Sequence, residues 1–76
     1  MSLLSHVRET TELLSSLLQG DQLLHIILDG GLTSTFFVTH LPFTHAIQDA
    51  RQWFQKLGIR DSENPSILHE LRVTNL

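Results

Sequence analysis

Leu28-Asp29-Gly30-Gly31-Leu32, preceded by Leu23-Leu24-His25-Ile26-Ile27 and followed by Thr33-Ser34-Thr35-Phe36-Phe37-Val38-Thr39, is the stretch that decides the fold. Two runs rich in Ile, Leu, Phe, Val and Thr flank paired glycines, which take the positive φ angles of a tight hairpin turn without steric cost. The expectation is two antiparallel strands. With Gly30 and Gly31 as a two-residue type I′ loop, Asp29 pairs with Leu32, His25 with Phe36 and Asp21 with His40. This register sets Leu23, His25, Ile27, Leu32, Ser34, Phe36 and Val38 on one face, and Leu24, Ile26, Leu28, Thr33, Thr35, Phe37 and Thr39 on the other. Neither face is plainly polar. An isolated hairpin is marginal in water, so a sheet continued across a dimer is expected.

On the N-terminal side, Leu3, Leu4, Val7, Leu13, Leu14, Leu17 and Leu18 fall within one half of a helical wheel, and Arg8, Glu9, Glu12, Ser15, Ser16 and Gln19 fill the other. Gly20 stands where a left-handed C-cap belongs. The apolar arc spans about 180°, wider than the roughly 100° that covers a sheet. Its surplus edge, which holds Leu13 and Leu17, is left to face another helix or another chain.

On the C-terminal side, Pro42 marks a boundary. Phe43, Ala46, Ile47, Ala50, Trp53, Phe54 and Leu57 then recur at helical spacing within an arc of about 120°, opposite a wholly polar face. Thr44 or the Pro42 turn starts this helix and Gly58 caps it. Arg60 to Asn64 is a polar loop. Asn64-Pro65 reads as an N-cap and first position of a short final helix with Ile67, Leu68 and Leu71 on its face. Leu71 to Leu76 reads equally as a third strand.

Seventy-six residues make one domain, near the size at which a single core contributes only a few kcal/mol after chain entropy. With no cysteine, disulfides and thiolate chemistry are excluded. Hydrophobic residues at 41% and charged residues at 17%, with fifteen leucines, are lean in charge for a monomer's surface, which favours self-association. A net charge of -3 with only five Lys plus Arg argues against a grip on nucleic acid, for which Arg8, Arg51, Lys56, Arg60 and Arg72 would have to serve. No basic n-region precedes a long apolar run, and the longest such run, Ile26 to Leu28, is far too short to cross a membrane. A soluble, cytoplasmic protein is expected.

Five histidines require a test for metal. On the register above, His40 lies about 13 Å along the sheet from His25, too far for two ligands that each sit about 2.1 Å from one zinc. His40 and His45, which bracket the strand-to-helix turn, are weak metal candidates together with Asp21. Asp21 opposite His40 has the form of a carboxylate that orients an imidazole, but no strained elbow presents a nucleophile beside it. The two glycines lack the lysine and following helix of a phosphate loop. Trp53, at one border of its helix's apolar arc beside Ala46, forms either core or an aromatic patch of the kind in which binding energy concentrates.

The sequence therefore leads to an α+β two-layer sandwich in the order helix, strand, strand, helix and a short C-terminal helix or strand, its antiparallel sheet extended across a dimer. The expected function is a non-catalytic protein–protein interaction module with no cofactor. Its partners are itself and another protein, met through Trp53, Ala46, Leu13 and Leu17. The alternative is a small-molecule or metal-binding protein that uses His40, His45 and Asp21.

Overall fold

The structure is a computed structural model and describes residues 2–17, 20–38, 44–60 and 64–76. It is α+β, with two helices on one side of a three-stranded antiparallel sheet. The elements in chain order are α1 (Leu3–Ser15), β1 (Gln22–Leu28), β2 (Thr33–Val38), α2 (Thr44–Lys56), a 3₁₀ turn (Pro65–Ile67) and β3 (Leu68–Asn75). The strand order is β2-β1-β3, so the first strand of the hairpin becomes the centre of the sheet. α1 packs over β3, α2 packs over β2, and the helices touch each other.

The hairpin register differs from the expected one by a single residue. Leu24 faces Phe36, His25 faces Thr35 and Ile27 faces Thr33. The loop is Asp29-Gly30-Gly31, closed by Leu28 N–H donating to the Leu32 carbonyl at 2.8 Å and Gly31 N–H to the Leu28 carbonyl at 3.1 Å. Both glycines hold left-handed φ, +90° and +89°. A one-residue slip turns every β2 side chain to the opposite face, and the physical reason for it is burial. Phe36 and Val38 now join Leu24, Ile26 and Leu28 beneath the helices, and Thr33 and Thr35 are turned away from them. The expected Asp21–His40 pair lies outside the described residues at His40, as do Thr39, Pro42 and Phe43; the Asp21 carbonyl accepts from Leu76 N–H at 3.0 Å.

The C-terminal segment resolves as a strand. Asn64 caps the short turn by accepting from Ser66 N–H, with Pro65 at its start, and the chain then pairs with β1 from Leu68 onward rather than continuing as a helix. The register moves between Ile27, which faces Glu70, and Leu28, which faces Leu68, so His69 is the extra residue of a bulge. That bulge turns both Leu68 and Leu71 toward the helices. Their spacing of three, which reads as helical in the sequence, is the spacing a bulged strand needs.

The core is Leu3 and Val7 of α1, Leu24, Ile26 and Leu28 of β1, Val38 of β2, and Ala46, Ile47, Ala50 and Phe54 of α2. α2 matches its sequence pattern, and its end is a Schellman cap: Ile59 N–H donates to the Phe54 carbonyl and Gly58 N–H to that of Gln55, with Gly58 at φ +80°. α1 departs from its pattern. It ends at Ser15, with Ser16 rather than Gly20 as its C-cap, and it buries a narrow i, i+4 stripe of Leu3, Val7, Thr11 and Ser15. Leu13 and Leu17 are 72% and 82% exposed; Leu18 and Gln19 are outside the described residues.

Candidate functional site

The sheet has a second face, which no helix among the described residues covers. Cross-strand pairing places on it Leu23, His25 and Ile27 from β1, Thr33, Thr35 and Phe37 from β2, and Glu70, Arg72 and Thr74 from β3. β1 alternates buried and half-buried residues along its whole length. Gln22, Leu24, Ile26 and Leu28 form the buried set, and Leu23, His25 and Ile27 the half-buried set on the open face. Apolar residues on both faces of one strand are the pattern of a strand covered on both sides. Phe37, 49% exposed, extends the apolar centre onto β2.

His25 ties the three strands together across this face. Its Nδ1 lies 3.1 Å from Thr35 Oγ1 and its Nε2 3.1 Å from Thr74 Oγ1. A neutral imidazole donates from one nitrogen and accepts at the other, and each hydroxyl can rotate to match. On β3, Arg72 places Nε at 3.1 Å and Nη2 at 3.0 Å from Glu70 Oε2. At the turn, Thr33 Oγ1 donates to the Gly31 carbonyl at 3.2 Å.

The residues singled out from the sequence are distributed differently. Trp53 is half-buried in an edge-to-face contact with Phe36, ring centroids 6.0 Å apart, and leans on Phe54 at 5.6 Å. Ala46 is buried in the core and offers no surface. Leu13 is exposed on α1, and Leu17 is exposed in the turn just beyond its C-cap. The four do not make one accessible patch. Of the metal candidates, Asp21 and His45 are exposed, and His40 is outside the described residues. Among the described residues, no three His, Asp or Glu come together as metal ligands. His69 Nδ1 stands 3.9 Å from Asp29 Oδ1 at the rim, with both side chains exposed. A shallow open depression at the start of α1 is lined by Ser2, Leu4, Ser5 and Arg8. Among the described residues, no helix is long and apolar enough to cross a membrane.

The sequence reading missed Thr35 and Thr74. A signal for Thr35 was present, since any register that gathers Phe36 and Val38 with Leu24 and Ile26 sets it against His25. No family model, no curated protein and no solved structure matches this chain.

Proposed function

We propose that this protein is a non-catalytic protein–protein interaction module that works as a homo-oligomer. The observation that carries the reading is the open face of β1, where Leu23 and Ile27 stand half-buried at the middle of the sheet with no described helix over them, while the same strand is buried on its other side. Exposed Leu13 and Leu17, and a surface lean in charge, support it further. A cytoplasmic setting goes with the reading, since a cysteine-free chain takes no staple from an oxidising compartment. A further protein partner would meet the assembled oligomer.

Light scattering on the purified protein over a dilution series, with and without a chelator, tests the reading. A chelator-resistant dimer or higher oligomer is the expected result. A monomer at every concentration overturns it. Loss of folded structure on chelation would favour instead the metal-binding alternative at His40, His45 and Asp21.

A further inference from the structure

We infer that the open face of the sheet is the surface through which two copies of this chain associate, sheet against sheet. The inference rests on the homo-oligomer reading and goes beyond it by naming the face. Its ground is the state of the polar groups there. Among the described residues of the three strands, His25, Thr33, Thr35, Glu70, Arg72 and Thr74 are the polar side chains of the face, and each already has a partner within the chain. Burying a polar group is costly when it loses water without gaining a partner. Each of these side chains keeps at least one partner when water leaves, which lowers the cost of covering the face; the Arg72–Glu70 pair, with guanidinium N–H groups and Oε1 still facing water, bears most of the remaining cost.

The occupant follows from charge and symmetry. Among the described residues of the three strands, Glu70 and Arg72 are the charged side chains of the face and pair with each other, so the face itself adds no net charge against a second copy. A strongly acidic or basic partner would find nothing on it to select. Leu23 and Ile27 lie two residues to either side of His25 on β1. A two-fold axis in the interface plane, running across the strands at His25, sets Leu23 of one copy against Ile27 of the other and brings the two Arg72 residues, each paired with its own Glu70, to the axis. Three strands about 4.8 Å apart and about 20 Å long give a flat footprint of roughly 300 Å². Two such footprints bury about 600 Å² together, the scale of a weak, reversible contact rather than a permanent one. Such a dimer dissociates on dilution. Threonines at the rim and aliphatic side chains at the centre match the anatomy of interfaces of this kind.

Sedimentation of the full chain and three variants tests the inference, each variant first shown to be folded by circular dichroism. Ile27→Lys and Phe37→Lys place a charge on the open face at positions already partly exposed. Leu17→Lys places one in the exposed turn that follows α1. The expected result is that either face variant weakens dimerisation by roughly thirtyfold or more, the size of a hot-spot loss, and that Leu17→Lys does not. Hydrogen exchange in the wild-type dimer supplies the second readout. Alternation from the Leu28–Leu32 bond points the amides of Thr35 and Phe37 away from β1, at the free edge of β2. Rapid exchange of both supports face packing. Protection of both, with face variants that dimerise normally, would assign the dimer to edge pairing and overturn the inference while leaving the homo-oligomer reading standing. Loss of the dimer in Leu17→Lys alone would move the interface to the turn that follows α1 with the same consequence. A wild-type monomer at all concentrations would remove both.

Discussion

Ser15 is a buried residue whose hydroxyl has no hydrogen-bond partner. It stands one turn beyond Thr11 on the stripe of α1 that meets the sheet, where Leu3 and Val7 set the apolar pattern. Thr11 meets the same problem locally: its Oγ1 donates back to the Val7 carbonyl at 2.6 Å. A buried hydroxyl without a partner costs about 1–3 kcal/mol, and alanine is the better helix former by a few tenths of a kcal/mol. Ser15→Ala is therefore expected to raise stability by about 1 kcal/mol, read as a higher urea midpoint with an unchanged slope. A lower midpoint would show that the hydroxyl is satisfied in solution. At this scale the sequence says least. Ser15 reads as part of a solvated half-wheel, because the axial rotation of a helix is set by what it packs on and not by its own pattern. The sequence does not name the partners of His25, because the two hydroxyls stand 10 and 49 residues away along the chain.

At the scale of elements, α2 was the most legible: its narrow apolar stripe, polar back and Gly58 cap agree with one another, and such agreement leaves one structure open. The hairpin was legible as a hairpin and misread in register. Turn chemistry admits a two-residue loop of Gly30-Gly31 or a three-residue loop of Asp29-Gly30-Gly31, and the two differ by one residue of slip. Burial decides between them, because only the second gathers Leu24, Ile26, Leu28, Phe36 and Val38 on one face. If burial and not the loop fixes the register, shortening the loop should leave the pairing intact. Deletion of Gly31 leaves Leu28 opposite Leu32 across an Asp29-Gly30 pair, itself suited to a type I′ turn. The expected outcome is a change in stability below about 1 kcal/mol with Leu24 still beside Phe36, read from cross-strand proton contacts. A shifted set of contacts would show that the loop is in control. β3 was legible in part: Leu71 to Leu76 reads equally as a strand, but Ile67, Leu68 and Leu71 have helical spacing, and only the bulge at His69 against β1 converts that spacing into the start of the strand.

For the whole molecule, the governing fact is size. A chain of 76 residues buries a core drawn from four elements, with half-buried residues of β3 packed against it, and leaves one face of its sheet outside it. If that face is covered by a second copy, folding and association are linked, and apparent stability depends on protein concentration. Above the dissociation constant, each tenfold increase in concentration stabilises the dimer by about 1.4 kcal/mol, shared by two chains as about 0.7 kcal/mol each. For a domain of this length that corresponds to a rise of about 3–5 °C in Tm. Wild-type protein is expected to show this slope in thermal scans at 10, 100 and 1,000 times a starting concentration near dissociation, with the values chosen from about that point upward. Ile27→Lys is expected to show no slope over the same range, and its Tm should meet that of the wild type at the dilute end, because the substitution removes association and leaves the core of the single chain intact. A concentration-independent Tm for both proteins would mean that the sheet is stable with one face in water, and that its paired polar side chains serve the single chain only.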